Sequence, residues 1–270
     1  MAFTDLSDVR LFHTDDGPAD PGRARTLLLV HGWGSDSHEW VHHIGPLAER
    51  YRVLAPDLRG HGASSVPDTP CTPAAMAADL ARLVEDAGAA PVAAVGHSMG
   101  GQVVSLLAAD RPDLVGAVVT VDPGYGFGPA ETDPLPAAVR ALNGPDPVGT
   151  ALALDAWSTT PATPGWIRTW HERRLRAARP RVLAEAFAGM FTDPGAIGPR
   201  PAAQRHLARR PQPALSLWHH PGRAAWERPL LPPGSRVECW EGAGHRLHEE
   251  RPAEFLRALE GWLAGTDHER

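Results

Sequence analysis

Serine, histidine and aspartate are the side chains from which an acyl-transferring nucleophile is built, and three short stretches carry two of them in a telling context. Pro91-Val-Ala-Ala-Val95 runs into Gly96-His97-Ser98-Met99-Gly100-Gly101 and then an apolar helical segment. This reads as a strand, a tight turn and a helix with Ser98 at the apex. The turn pushes the serine into a strained backbone conformation, and glycine at 96 and 100 avoids a Cβ clash with the helix that follows. Ser98 would project above the sheet, with the Met99 N–H and the helix dipole aimed at any negative charge developing nearby. G-x-S-x-G alone is a weak pattern, and a plain Gly/Ser-rich turn is the bland alternative. The strand before it and the helix after it favour a nucleophile.

One N–H does not balance a tetrahedral oxyanion, so a second donor must come from a loop at the carboxyl end of a neighbouring strand. Thr26 to Val30 leads into His31-Gly32-Trp33-Gly34, which makes the Trp33 N–H the candidate partner of Met99. A general base must reach the serine oxygen from an uncrowded loop. Arg236 to Trp240 leads into Glu241-Gly242-Ala243-Gly244-His245, and of the 14 histidines His245 is the best placed.

The elements that must hold these groups follow from the alternation of short apolar runs with longer Ala/Leu/Arg segments of helical period, the rhythm of a mostly parallel sheet. The runs Thr26 to Val30, Tyr51 to Ala55, Pro91 to Val95, Leu114 to Val121, Ala214 to Trp218 and Arg236 to Trp240 read as strands. Near-continuous apolar runs suit strands buried on both faces. Thr72 to Ala87, Gly101 to Asp110 and Pro252 to Leu263 read as helices. Pro123 to Pro211 shows no clear strand and is split by prolines into short amphipathic pieces such as Pro164 to Ala178 and Pro180 to Met190, so a helical cap is expected there. The expected organisation is an α/β core over 1–123 and 212–270 with a cap over 124–211.

Composition narrows the chemistry. The 270 residues suit one large α/β domain with an insertion. All 26 basic residues are arginine, which excludes a P-loop, a pyridoxal Schiff base and a lysine nucleophile. A net charge of −6 makes nucleic acid an unsuitable partner. Cys71 and Cys239 form no C-x-x-C pair, and Met1 to Gly22 lacks a basic leader and an apolar run. A cytoplasmic protein with no membrane partner is expected, monomeric or homodimeric, acting on a small molecule without metal or cofactor.

These motifs, with Ala55-Pro-Asp57-Leu-Arg59-Gly60-His-Gly62-Ala-Ser64 between them, resemble the α/β-hydrolase superfamily in the branch with an HG-x oxyanion turn and a helical cap. The resemblance runs from about Phe12 to Trp262. It implies an eight-stranded, mostly parallel sheet with helices on both faces, Ser98 as nucleophile and His245 as base. Family members commonly carry an aspartate shortly after the strand that here is Ala214 to Trp218. This chain reads His219-His220-Pro221-Gly222-Arg223 instead. Some branches place the acid at the end of the strand after the nucleophile helix, where this chain has Asp122, 24 residues beyond Ser98. That layout is similar to haloalkane dehalogenases, fungal zearalenone lactonases and cofactor-independent ring-cleaving dioxygenases. Asp122 is the first choice for the acid, with Glu227 and Glu131 in reserve.

Candidate substrate contacts are Gly32 and His97 beside the reacting groups and Trp157, Trp166, Trp170, Phe187 and Phe191 in the cap, where large apolar surface, that of Met190 included, suits a flat, mostly apolar ligand. Docking of the cap on the sheet would account for the same residues. His42-His43 and His219-His220 read as surface histidines because no carboxylate completes a metal set beside them, and Arg173-Arg174-Leu175-Arg176 reads as a solvated helix face. The leading function is a serine hydrolase cleaving a carboxylic ester or lactone of a small apolar or aromatic molecule. A cofactor-independent ring-cleaving dioxygenase, and a ligand receptor on the same fold, are the alternatives.

Overall fold

The computed structural model describes residues 1–18 and 24–266. Eight strands form one sheet: β1 (Ala2–Asp5), β2 (Arg10–Asp16), β3 (Thr26–Val30), β4 (Arg52–Pro56), β5 (Val92–His97), β6 (Val115–Val121), β7 (Ala214–Trp218) and β8 (Arg236–Cys239). Their spatial order is β1-β2-β4-β3-β5-β6-β7-β8. β1 pairs antiparallel with β2, and β2 with β4; every later pair is parallel. The helices among the described residues are α1 (Val41–Ala48), α2 (Pro73–Asp86), α3 (Met99–Asp110), α4 (Pro129–Thr132), α5 (Leu135–Leu142), α6 (Pro147–Asp155), α7 (Gly165–Ala177), α8 (Pro180–Phe191), α9 (Arg200–Leu207), α10 (Pro221–Glu227), α11 (Leu247–Glu250) and α12 (Pro252–Thr266).

The central strands are apolar throughout because helices cover both faces of the sheet. β3 and β7 are buried at every position. On one face Leu28, Val30, Leu54 and Val118 pack against α2, α3 and α8 through Met76, Leu80, Val103 and Leu183. On the other, Leu27, Leu29, Val95 and Val119 meet Trp40, Phe255, Leu259 and Leu263. Local sequence sets the helix ends: Thr72 caps α2 by accepting the Ala75 N–H, and Pro73 occupies the first turn, where no backbone donor is missed. The six apolar runs form β3 to β8. β1 and β2 are absent from the sequence reading because they form an antiparallel margin: β1 is exposed apart from half-buried Thr4, β2 alternates buried with more open residues, and both carry aspartates.

Six helices, α4 to α9, lie between β6 and β7 with no named strand among them. An isolated bridge from Phe127 to Pro199 closes the base of this insertion. Parallel register puts the carboxyl ends of the strands on one edge: Val30 lies opposite Gly96, His97 opposite Val121, Val121 opposite Leu217 and Trp218 opposite Cys239. The segments that follow β3, β5, β6, β7 and β8 therefore open side by side, where ligands bind in open α/β sheets.

Candidate active site

Ser98 links β5 to α3 with φ +52° and ψ −114°, a conformation that L side chains rarely adopt. Its surroundings leave no room for side chains on either flank. A Cβ at Gly96 would lie 2.2 Å from the Gly100 carbonyl oxygen, and one at Gly100 would lie 2.2 Å from that of Val30. The Ser98 N–H donates to Val121 O at 3.0 Å, tying the turn to β6. Met99 opens α3, so its N–H has no partner within the helix, and its side chain is packed in the core.

The turn after β3 presses on this serine. A Cβ on Gly32 would come within 2.9 Å of His97 Nδ1 and 3.4 Å of Ser98 Cβ. His31 fixes the turn from below: Nε2 accepts the Leu58 N–H at 3.0 Å, which leaves the ring proton on Nδ1 to donate to Gly32 O at 2.8 Å. The Trp33 indole donates to Leu183 O of α8 at 2.9 Å, anchoring the turn to the insertion. The backbone N–H of Trp33 has no hydrogen-bond partner among the described residues.

His245 follows β8 and bonds through Nδ1 to Asp122 Oδ2, so Nε2 is the ring atom left to meet a serine hydroxyl. Its side chain keeps 21% of its surface open, and burial pushes its pKa down to about 4 against the raising pull of Asp122. Asp122 follows β6 in a left-handed conformation, φ +41°, with its carboxylate fully buried. Burial raises that carboxyl, but hydrogen bonds from His219 and His245 outweigh it and hold the group well below the usual carboxylate range. The reserve acids are occupied elsewhere. Glu227 accepts from Tyr125 Oη at 2.7 Å and from the Trp218 indole at 2.6 Å. Glu131 accepts the Gly128 N–H at 2.8 Å and pairs with Arg223 at 2.5 Å.

Sequence reasoning missed a second carboxylate, Glu39, that binds the motif loops together. Its Oε2 accepts the Gly32 N–H at 3.2 Å and its Oε1 meets His97 Nδ1 at 2.8 Å. His97 Nε2 reaches the His245 carbonyl at 3.2 Å, so both ring nitrogens face acceptors and satisfying both needs a proton on each. His248 Nε2 stands 3.4 Å from Glu39 Oε1. Burial raises the Glu39 carboxyl, but His97 and His248 outweigh it and hold it well below its ordinary value. Glu39 lies three residues after Asp36, the spacing of an ordinary capped helix start, and nothing in the sequence sets it apart. Two sets of donors could in principle surround a cation, Glu39–His97–His248 and Asp122–His219–His245.

A cavity of about 400 Å³ opens over Ser98, lined also by Gly32, Trp33, His97, Asp122 and His245. Of the large apolar cap residues read from the sequence, Trp157, Phe187, Met190 and Phe191 line it, together with Phe127 and Leu135. Trp166 and Trp170 do not. The Trp166 ring packs on exposed His42, and Trp170 packs between His38 and the guanidinium of Arg174, because both point to the outer side of α7. Three other expectations need correction. Arg174 is not a solvated side chain: it is only 8% exposed and pairs with Asp36 at 2.9 Å. His43 is buried, with Nε2 on the His248 carbonyl at 3.1 Å. His219 is not a surface residue either, since Asp122, distant in sequence, supplies the carboxylate that the sequence lacked beside it.

Fold and site together define a hydrolase-type α/β architecture with a serine elbow. A family model described as "Alpha/beta hydrolase family" matches residues 27–258, and the chain belongs to that family. The chain is 31% identical, over 97% of its length and 69% of the relative's, to a dihydrolipoyllysine-residue acetyltransferase component of an acetoin cleaving system from Cupriavidus necator. Its fold is also that of a thermophilic esterase from Thermogutta terrifontis, with TM-score 0.83, 23% identity and coverage of 98% and 99% of the two chains. The enol-lactonase from Burkholderia xenovorans LB400 superposes with TM-score 0.81 at 20% identity over 97% and 100%. No helix among the described residues is long and apolar enough to cross a membrane.

Proposed function

We propose that this enzyme is a serine hydrolase that cleaves a carboxylic ester or lactone of a small, largely apolar molecule through an acyl-enzyme on Ser98. The observation that carries this reading is the bond from His245 Nδ1 to the buried Asp122, in a cavity that Ser98 shares. In it, His245 Nε2 takes the Ser98 hydroxyl proton as Oγ attacks the substrate carbonyl. The N–H groups of Trp33 and Met99 hold the oxyanion, each worth roughly 3 to 4 kcal/mol in the transition state. Collapse expels the alkoxide, which takes the imidazolium proton; in a lactone it stays tethered to the acyl group. Water, deprotonated by the same ring, then releases the acid. The Asp122 charge keeps His245 in the tautomer with its proton on Nδ1 and balances the imidazolium.

Residues 124–211 act as the cap, and Trp157, Phe187, Phe191, Gly32 and His97 border the substrate. The esterase and the enol-lactonase of like fold lend the reading support by analogy. The test is labelling by a fluorophosphonate probe, expected to add one adduct at Ser98 and none in Ser98→Ala. A screen of p-nitrophenyl esters and aromatic lactones, with oxygen uptake followed in parallel, completes it. Undiminished turnover by Ser98→Ala, or oxygen consumption in place of hydrolysis, would overturn the assignment.

A further inference from the structure

Two of the three hydrogen bonds that reach the Asp122 carboxylate come from a residue that the reaction above does not use. His219, the first residue after β7, donates its backbone N–H to Oδ1 at 3.3 Å. Its Nδ1 lies 2.8 Å from Oδ2, the same oxygen that meets His245 Nδ1. The His219 side chain keeps 32% of its surface open and lines the cavity. Its ring centroid is 6.3 Å from that of His245, at 78° between planes.

We propose that His219 is a positioning residue of the candidate active site: neutral, it holds the Asp122 carboxylate on His245, and once it carries a second proton its charge opposes the imidazolium that His245 must become. The inference rests on His245 being the base. The geometry argues it in two steps. Asp122 sits in a left-handed conformation at the end of β6, and among the described residues its carboxylate accepts hydrogen bonds from these two histidines alone. Without the His219 ring, Oδ2 keeps His245 as its single partner and Oδ1 keeps the backbone N–H of residue 219, so the carboxylate loses one of the three contacts that fix its rotation.

Charge supplies the second step. With His219 neutral, the Asp122–His219–His245 cluster carries −1 and becomes neutral when His245 takes the serine proton. With His219 protonated, the same step takes the cluster from neutral to +1 and sets two cations about 6 Å apart. At an effective dielectric of about 20, that opposition slows proton transfer roughly 10- to 100-fold. The groups facing His219 are Asp122, His245, Arg223 from α10 and Glu250 from α11, with exposed His220 beside it. Burial lowers the His219 pKa and Asp122 outweighs it, so the ring takes its second proton above the usual histidine value.

Two variants and two readouts test this. His219→Gln keeps a side-chain N–H donor but does not titrate; His219→Leu removes donor and titration together. In one arm, kcat/KM for p-nitrophenyl acetate is followed against pH. The wild type is expected to lose activity on the acid side in two successive one-proton steps, a partial one as His219 takes its proton and a complete one as His245 does, and His219→Gln in a single one-proton step from a plateau within about threefold of wild type. His219→Leu is expected to lose roughly tenfold or more in kcat with KM unchanged. In the other arm, histidine Cε1–H resonances are titrated by NMR in the Ser98→Ala protein, where adding His219→Gln should move the His245 midpoint upward. Superimposable pH profiles for wild type and His219→Gln, full kcat in His219→Leu, or a His245 midpoint indifferent to residue 219 each overturn the proposal. Coupled titration in a protein that hydrolyses no ester refutes the hydrolase reading alone; hydrolysis with uncoupled histidines refutes this one.

Discussion

Glu39 and Asp122 are both buried carboxylates beside two histidines, Glu39 bonded to one and close to the other, Asp122 bonded to both, and the two clusters differ in what their imidazoles face. Around Glu39, the side chains of His97 and His248 are 3% and 0% exposed; both His97 ring nitrogens are held by acceptors although the residue borders the cavity, and His248 packs among Trp40, His43 and Phe255. Around Asp122, His219 and His245 keep 32% and 21% of their side-chain surface open to the cavity. A carboxylate with two histidines thus makes a buried brace in one place and, in the function proposed above, a proton-handling unit in the other. The decisive variable is whether an edge of the ring opposite the carboxylate reaches solvent or substrate. A fully buried charge pair holds backbone segments in register, whereas a ring with one free nitrogen can exchange a proton with a bound molecule.

Removing the charge from the open cluster should give the largest effect. Asp122→Asn is expected to lower kcat/KM about 10⁴-fold, because the amide favours the wrong imidazole tautomer and leaves the imidazolium unbalanced. Thermal unfolding monitored by circular dichroism should show the fold intact. A variant within tenfold of wild type would remove Asp122 from the mechanism. The counterpart in the closed cluster acts on stability. Glu39→Ala leaves His97 Nδ1 and the Gly32 N–H without their buried acceptor, and should cost about 3 to 5 kcal/mol in urea unfolding, at roughly 1 to 3 kcal/mol for each buried group left unpaired. A loss below about 1 kcal/mol would show that the brace carries no weight.

Acid acts on two further buried histidines, at a smaller scale. Burial lowers the pKa of His43 to about 4 and that of His61 to about 3, each against an ordinary value of 6.5. The unfolded chain therefore binds more protons than the folded one as pH falls below 6.5, and stability must fall with it. Glu39 works in the same sense, since its depressed value contributes stability above the unfolded carboxyl range that is lost as pH drops through it. Each of the two histidines should account for on the order of 1 to 2 kcal/mol between pH 6.5 and pH 5, read as a declining melting temperature. Replacing His61 by Phe should flatten that slope. An unchanged slope would mean that the ring is protonated in the native state.

What the sequence could reveal divides along the same line. Ser98 and His245 were legible because each follows an apolar strand and is flanked by glycines, a local pattern that needs no tertiary information. The carboxylate partner of His245 was harder to read: Asp122 and His245 are 123 residues apart, and only the parallel register of β6, β7 and β8 brings them together. His219 and Glu39 were opaque for the same reason, since neither has a partner nearby in the chain. The edge strands β1 and β2 escaped because a half-exposed margin lacks the apolar continuity that marks β3 to β7. Trp166 and Trp170 misled because an aromatic on an amphipathic helix looks the same whether its face meets a cavity or a neighbouring histidine.

That last ambiguity defines the smallest predicted effect and the finest comparison, between two aromatics of the same insertion. Phe187 is 6% exposed, lines the cavity and stacks on Trp33 at 5.4 Å between centroids. Phe187→Ala removes a wall of the site and the support of the turn at once, so KM should rise roughly tenfold while core packing weakens by about 3 kcal/mol. Trp166 is 47% exposed and its ring packs edge-on to that of His42, outside the cavity. Trp166→Ala should leave kcat and KM within about twofold of wild type and stability within about 1 kcal/mol, since an exposed ring–ring contact contributes little beyond its own area. Steady-state kinetics on one ester with both variants checks the pair. If Trp166→Ala raised KM as much as Phe187→Ala does, the substrate would have to extend beyond the cavity onto the outer face of α7.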